Sequence, residues 1–152
     1  MSNELATLEA PAASSVNHPL HYNSHASGVE AIDVIEFLTG NLFNAVKYVW
    51  RANHKGKRVE DMEKALWYAK RELDRVVTSL PEVPAFAYEL TDRYVAAEGL
   101  SDPMRALTVY SAVYAHTSLT SYKENVRHVV ELLEQMVSRE NAAALATDED
   151  HC

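Results

Sequence analysis

Five basic side chains at the end of one predicted helix are the first candidates for chemistry. Lys47 and Arg51 are four residues apart and share a helical face, and His54, Lys55 and Lys57 follow in the next loop. Cations grouped at a helix end bind phosphate well, and arginine can hold two phosphate oxygens at once. A solvated basic end that complements the helix dipole has the same composition. The spacing therefore indicates either a phosphate site or a plain charged surface.

A second candidate is the sequence NHPLHY at residues 17–22. It places Asn17, His18, His21 and Tyr22 around a proline. Imidazoles titrate near neutral pH, so His18 or His21 could move a proton or donate hydrogen bonds to phosphates or a base. Packed structural loops also have this composition. A zinc site is less well supported, because these histidines and His25 lack a helical i, i+4 pair and a cysteine partner.

Acidic residues are the third candidate. Glu30 and Asp33 are spaced by three, and Glu60, Asp61 and Glu63 open a later helix. Carboxylates gathered between antiparallel helices can hold Mg²⁺ against substrate phosphates. All-α nucleotide pyrophosphatases use such ExxE and ExxD pairs, but solvated helix starts carry the same acids. The candidate metal ligands are Glu30, Asp33 and Asp61, and the sequence assigns a metal to none of them.

The elements that must position these residues are helices. Apolar residues recur at spacings of three and four and no segment is typical of a strand, so the predicted fold is all-α. We predict helices at 29–38, 42–52 and 60–78, with Gly40 ending the first, Asn41 capping the second and a polar turn at 53–59. The apolar stripe of the third helix is Met62, Leu66, Ala69, Leu73 and Val76.

About three further helices follow a proline-rich boundary at 79–84. The fourth has its apolar stripe at Phe86, Leu90, Tyr94 and Ala97. The fifth begins at Asp102 and Pro103, an N-cap and N1 pair, and runs to about residue 117. The sixth has its seam at Val126, Val129, Val130, Leu133, Met136 and Val137. The predicted organisation is a disordered leader at 1–16, a motif domain at 17–80, a helical extension at 81–146 and an acidic tail at 147–152.

Composition excludes several classes of protein. The formal net charge of −8 counts against a general nucleic-acid binder. The single cysteine, Cys152, excludes an internal disulfide, and no apolar run approaches a membrane span. Neither a P-loop, a Rossmann fingerprint nor a Gly-x-Ser-x-Gly elbow is present. With no signal-peptide pattern, we expect a cytoplasmic protein with no membrane partner.

Four motifs in one order carry a resemblance to a known family. They are NHPLHY, GVEAIDVIE, NLFNAVKYVWRANHKG and EDMEKALWYAKRELD, and the resemblance covers about residues 17–73. Together they resemble the small phage-encoded domain, long of unknown function, whose family includes the early nucleotide kinase of phage T7. The matching residues are His18, Pro19, His21, Tyr22, Glu30, Asp33, Ala45, Lys47, Tyr48, Arg51, Lys55, Glu60, Asp61, Lys64, Ala65, Trp67 and Tyr68.

The resemblance implies a phage nucleotide-metabolism enzyme of the nucleoside monophosphate kinase type. Such an enzyme would transfer a phosphoryl group from a nucleoside triphosphate to a dTMP- or dGMP-type acceptor without a P-loop, as a homo-oligomer in the host bacterial cytoplasm. The implied catalytic residues are His18, His21, Asp33, Lys47 and Arg51. Among the matching residues, the candidate substrate-binding residues are Tyr22, Tyr48, Lys55, Asp61, Lys64 and Trp67. Asn17, Asn44, His54 and Lys57 are substrate-binding candidates from their place in the sequence and not from the resemblance. A requirement for Mg²⁺ stays open.

Two other functions remain as alternatives. One is a Mg²⁺-dependent all-α nucleotide pyrophosphatase, and the other is a module that binds a nucleotide or a host protein without turnover.

The aromatic residues Tyr48, Trp50, Trp67 and Tyr68 are more typical of a core than of a base-stacking surface.

Overall fold

The computed structural model of the protein describes residues 25–52 and 58–151, with side chains through residue 146. Its helices are α1 (Ile32–Ile35), α2 (Gly40–Arg51), α3 (Arg58–Asp74), α4 (Ala85–Glu98), α5 (Pro103–Tyr114) and α6 (Leu119–His151), with a 3₁₀ turn at Ala115–Thr117. No strand occurs in these ranges, so the all-α prediction is confirmed. Nor is any helix within them long and apolar enough to cross a membrane.

The centre of the molecule is the antiparallel pair α2 and α3. Arg51 near the end of α2 bonds Asp61 near the start of α3, while Asn41 at the other end of α2 bonds Glu72. Helix α6 packs along α3, and α5 contacts α2, α4 and α6. A single hydrophobic core therefore includes residues from both the predicted motif domain and the predicted extension.

The first predicted helix is shorter than expected. The α-helical segment covers only Ile32–Ile35, because the next amides, of Phe37 and Leu38, bond carbonyls three residues back and tighten the chain into a turn. Helix α2 then begins at Gly40, which is not the helix stop that the sequence suggested. Asn41 is not the N-cap either. Thr39 holds that position, and its hydroxyl bonds Tyr122 instead of capping the helix.

The stripe predicted for α3 is confirmed at four of its five residues. Met62 and Ala69 are fully buried, and Leu66 and Leu73 pack against the core. Val76 is 82% exposed, because α3 ends at Asp74, before the predicted limit of residue 78.

The stripe predicted for α4 is wrong at Phe86, which is half exposed. The helix buries Ala87, Thr91, Tyr94 and Glu98 instead. Two of these residues are polar, and each is buried with a partner: Thr91 donates to the Ala87 carbonyl and Glu98 bonds His25. A pattern of apolar residues alone cannot reveal such a face.

The later helices follow the sequence closely. Asp102 caps α5 by accepting the Arg105 amide at 3.1 Å, with Pro103 as the first helical residue. Five of the six predicted seam residues of α6 are buried, and Val137 packs against them at the edge. The backbone of α6 stays helical through residue 151, beyond the limit predicted for the extension. The predicted leader at 1–16 lies outside the described residues.

Candidate functional site

The candidate site lies where α2 and α3 face each other near the end of α2, around the ring of Tyr48. Lys47 Nζ lies 4.9 Å from the ring centroid, Arg51 Cζ 5.0 Å and Lys64 Nζ 5.5 Å. Tyr68 stacks on Tyr48 with the ring centroids 6.1 Å apart and the planes 12° from parallel. These five residues form what we call the Tyr48 cluster. All three cations lie within the distance at which a ring attracts a positive charge.

Helical spacing explains how the cluster forms. Lys47 and Arg51 are one turn apart on α2, and Lys64 and Tyr68 are one turn apart on α3. Because the helices run antiparallel, the two pairs lie opposite each other with Tyr48 between them. The i, i+4 spacing of Lys47 and Arg51 was visible in the sequence, and the structure adds Lys64 to their group.

The three cations differ in how they are neutralised. Lys64 Nζ lies 3.1 Å from Glu60, whose hydrogen bond raises the pKa of Lys64. Arg51 pairs with Asp61. Lys47, within the described residues, contacts the Tyr48 ring and no carboxylate. An anion that entered the cluster would relieve the repulsion among these like charges.

Asp61 orients Arg51. Its Oδ1 accepts from Arg51 Nε at 3.3 Å and from Nη2 at 3.2 Å. Asp61 is only 1% exposed, and its Oδ2 is buried with no hydrogen-bond partner among the described residues. A buried carboxylate needs a paired charge, so this contact holds the Arg51 side chain in one place.

Two other predicted site residues lie beside the cluster. The amide of Asn44 donates to the Gly40 carbonyl at 3.3 Å. Trp67 is 57% exposed and meets Tyr68 edge-on, with centroids 4.9 Å apart. Trp50, in contrast, is 1% exposed and stacks on Tyr94, as expected of a core residue.

The candidate metal ligands do not form a site in the part of the chain that the structure describes. No group of three or more His, Cys, Asp or Glu side chains there is arranged to hold a metal ion. Asp33 is exposed on α1 and Asp61 pairs with Arg51, so the candidates Glu30, Asp33 and Asp61 do not form such a group among the described residues. These residues do not fit a Mg²⁺ ion as a set.

The remaining predicted site residues lie outside the described ranges. They are Asn17, His18, His21, Tyr22, His54, Lys55 and Lys57.

Comparison with known proteins places the Tyr48 cluster within a recognised domain. Residues 16–70 match a family described as a protein of unknown function (DUF3310). That match contains the whole Tyr48 cluster and covers nearly the same residues as the resemblance drawn from the motifs. The resemblance is therefore confirmed at the level of an uncharacterised domain family. No curated protein matches the chain, and no solved structure matches it either.

A buried polar group that the sequence analysis missed ties the DUF3310 segment to α4 and α5. Gly28 has φ +78°, and its amide bonds the His25 carbonyl, which closes a turn. His25 Nδ1 accepts the Ser27 amide, so the ring proton is on Nε2, which donates to Glu98 at 2.7 Å. From the sequence, His25 was only a candidate zinc ligand.

Arg105 completes this group from α5. It donates to the Trp50 carbonyl at 2.7 Å and to the Tyr94 hydroxyl at 3.2 Å, and its Nε lies 3.4 Å from Glu98. Burial raises the pKa of Tyr94 to about 12, so this hydroxyl stays protonated. Arg105 Nη1 and Trp50 Nε1 are buried without a partner in the described residues. A signal was present in the sequence: Glu98 lies one turn after Tyr94 and so falls on the buried face of α4.

A second missed group surrounds Glu72. Its carboxylate accepts from Asn41 at 3.0 Å, from Arg75 at 2.8 and 2.9 Å, and from the Tyr122 hydroxyl of α6. Burial by itself would raise the pKa of Glu72, but these donors outweigh it and lower the pKa to about 2. Glu72 is therefore ionised throughout the physiological range and links α2, α3 and α6.

His116 borders the same group. Its Nε2 accepts the Thr39 amide at 3.1 Å, while Nδ1 faces the carbonyls of Ala112 and Val113 at 3.0 and 3.2 Å. Burial lowers the pKa of His116, so the ring is neutral with its proton on Nδ1.

Proposed function

We propose that the Tyr48 cluster binds the phosphate groups of a nucleotide and that the protein transfers a phosphoryl group between nucleotides. The observation that supports this most directly is the convergence of three cations within 5.5 Å of one ring centroid. Lys47 has no carboxylate partner in the described residues, so it is available to an anion. Phosphate is an anion that lysine and arginine side chains bind through strong, charge-assisted hydrogen bonds.

Each cation has a distinct role in this proposal. Arg51 is already fixed by Asp61, so little rotamer entropy is lost when its outer guanidinium edge meets phosphate oxygens. Lys47 and Lys64 act as point charges that follow the phosphate. In phosphoryl transfer, positioning and electrostatic stabilisation supply nearly all of the catalysis, which suits a site whose described residues include three cations.

The reaction follows from the resemblance to the phage family. The bond between the terminal phosphorus of a nucleoside triphosphate and its bridging oxygen breaks, and a bond forms to a phosphate oxygen of a deoxynucleoside monophosphate. A nucleoside diphosphate leaves, and the acceptor becomes a diphosphate. The participation of His18, His21, His54, Lys55 and Lys57 stays a prediction from the sequence.

The biological setting is also part of the proposal. The resemblance supports a phage-encoded protein that acts in the cytoplasm of the infected bacterium and assembles with copies of itself. Exposed apolar side chains support the assembly, since Phe86, Leu107 and Leu119 are each at least 43% exposed. Light scattering coupled to size exclusion would give the stoichiometry, and a strictly monomeric protein would remove this part of the proposal.

The decisive experiment combines binding and turnover. Calorimetric titration of the full chain with dTMP, dGMP and ATP, with and without Mg²⁺, is expected to show saturable binding. Lys47→Ala should weaken that binding by at least tenfold, about 1.4 kcal/mol, because it removes the cation that pairs with no carboxylate in the described residues. The matched control is Lys123→Ala, an exposed lysine on α6, which should change affinity by less than twofold.

Turnover then separates the candidate functions. Formation of dTDP or dGDP together with ADP supports the kinase. Release of pyrophosphate supports the hydrolytic alternative, and tight binding without product supports a binding module. Absence of binding to every nucleotide would refute the proposal.

A further inference from the structure

We propose that the protein has a second ligand site, which takes a planar aromatic ring carrying a phosphate, in the class of a mononucleotide. The site is a cleft of about 510 Å³ along the later turns of α3, lined by Asn41, Trp67, Lys70, Arg71, Asp74 and Arg75. We call it the Trp67 cleft. It shares no residue with the Tyr48 cluster, and it does not rest on the function proposed for that cluster.

The size of the cleft fits such a ligand. Small-molecule sites have volumes of roughly 300–1,000 Å³. A volume of about 510 Å³ lies within that range and is large enough for a base, a sugar and a phosphate.

Trp67 offers a surface on which a base can stack. It is 57% exposed, although a tryptophan side chain is on average highly buried. Its ring is oriented by the edge-on contact with Tyr68 and by Arg71, whose Cζ lies 5.5 Å from the ring centroid. A fixed and accessible indole is the usual platform for a nucleobase, because every base has a π face.

Arg71 and Lys70 supply the charge that a phosphate needs. Arg71 contacts the Trp67 ring and makes no ion pair within the described part of the chain. Lys70 Nζ lies 3.8 Å from Glu134, a long contact between two half-exposed side chains that contributes little. Both cations can therefore turn towards an anion in the cleft.

Two other residues that line the cleft, Asn41 and Arg75, are preorganised. Glu72 accepts from Arg75 and from Asn41, so both side chains are held before any ligand arrives. A ligand that meets a fixed wall loses less binding energy to the ordering of side chains. The cleft thus combines a stacking ring, two available cations and a rigid polar side.

Tryptophan fluorescence tests the proposal directly. The chain has two tryptophans, and the other, Trp50, is 1% exposed, so a ligand on the surface quenches Trp67 selectively. The full chain is titrated with adenosine monophosphate, with adenosine and with inorganic phosphate. We expect saturable quenching by adenosine monophosphate that is absent in Trp67→Phe, with the other two probes binding at least tenfold more weakly.

Charge variants identify the phosphate contacts. Arg71→Gln and Lys70→Gln should each weaken the quenching titration, Arg71→Gln by at least tenfold. The matched controls are Arg93→Gln on α4 and Lys123→Gln on α6, both exposed and outside the cleft, which should change it by less than twofold. Equal weakening by Arg71→Gln and by the controls would overturn the proposal.

Other outcomes overturn it as clearly. If no saturable quenching occurred, the cleft would not bind ligands of this class. If a single-stranded oligonucleotide quenched the emission more strongly than the mononucleotide, and this quenching depended on salt, the cleft would be a surface that binds single strands. If the tryptophan emission changed with protein concentration alone and added ligand then gave no quenching, Trp67 would be a contact between copies of the chain.

The proposals for the Tyr48 cluster and for the Trp67 cleft can be refuted separately. Lys47→Ala is expected to leave the Trp67 titration unchanged while it weakens binding at the Tyr48 cluster. If Lys47→Ala abolished both, the cleft would not be a separate site. If Arg71→Gln removed the quenching while no ligand bound the Tyr48 cluster, the cleft would stand and the proposed function would fall.

Discussion

Asp61, a candidate site residue from the sequence, makes a structural contact with Arg51. Its place at the start of a helix beside basic residues made it a candidate for both substrate and metal binding. In the structure it is 1% exposed and bonds Arg51 across ten residues of sequence. Helical spacing shows which side chains share a face of one helix. It does not show which residue of the next helix lies opposite.

Asp61→Asn tests this role. The substitution keeps the size of the side chain but removes the charge that holds Arg51, which is 17% exposed. Breaking a fully buried pair costs about 3–5 kcal/mol, and because Arg51 can turn partly to water we expect a loss on the order of 2 kcal/mol. Urea unfolding measures it. The exposed Asp33→Asn is the control, and an equal effect of both variants would contradict the assigned role.

The Glu72 carboxylate makes stability depend on pH. A carboxyl whose pKa is lower in the folded state contributes stability that is complete above its unfolded value and is lost as the pH falls towards the folded value. For Glu72 that window runs from 4.5 down to about 2, and the contribution is on the order of 3 kcal/mol. Glu72→Gln should therefore be less stable than wild type at neutral pH, with the difference shrinking as the pH falls through this window.

The measurement is the free energy of unfolding of both proteins between pH 2 and pH 7. Glu131→Gln replaces an exposed acid on α6 and serves as the matched control. Its free energy of unfolding should have the same pH dependence as that of wild type. A difference in free energy of unfolding between Glu72→Gln and wild type that is the same at every pH would contradict the prediction.

His116 acts in the same direction at higher pH, since its lowered pKa means that stability falls as the pH drops below the unfolded histidine value of 6.5.

At the scale of elements, the helices themselves could be predicted, but their ends and buried polar faces could not. The apolar seam of α6 was correct because its partners are apolar as well. Phe86 was placed inside because it is large and apolar, whereas α4 turns Thr91 and Glu98 inward towards specific partners. Those partners lie 4 and 73 residues away in sequence, and only the nearer one is a local feature.

The contact of α5 with α2 and α4 depends on Arg105. This guanidinium is 1% exposed and joins the Trp50 carbonyl of α2 to Tyr94 and Glu98 of α4. Arg105→Met should destabilise the protein by about 3–5 kcal/mol, because buried Glu98 keeps only His25 as a partner and the Trp50 carbonyl loses its donor. The double variant Arg105→Met with Glu98→Gln should recover part of that loss.

Chemical denaturation of the two single variants and the double variant forms a complete thermodynamic cycle. A double variant whose loss equals the sum of the single losses would show that Arg105 and Glu98 act separately. A near-neutral Arg105→Met would show that the pair contributes no net stability.

At the scale of the whole molecule, the DUF3310 segment and the rest of the chain share one core. Trp50 packs on Tyr94 of α4, and α6 covers α3. The sequence placed a boundary at residues 79–84 on the basis of prolines. It could not show that the two sides pack together, because that contact joins residues far apart in sequence.

A chain that ends at residue 80 should therefore fail to fold alone. Without α4, α5 and α6, the buried faces of α2 and α3 meet water, and a segment of this length has little core to spare. Circular dichroism and thermal melting of this fragment should show weak helicity and no cooperative transition, whereas the full chain melts cooperatively. A cooperative melt of the fragment as a monomer would show that residues 81–152 are dispensable for folding.

The long helix α6 contacts α3 near both ends. Near one end of α3, Tyr122 bonds Glu72, and at the other end Glu140 pairs with Arg58, the first residue of α3. Because α6 is continuous between these contacts, it opposes fraying of α3 at both termini. The helix that carries Lys64, Tyr68, Trp67 and Arg71 is therefore held at both ends, and the distance along it between the two proposed ligand sites is set by the helical rise.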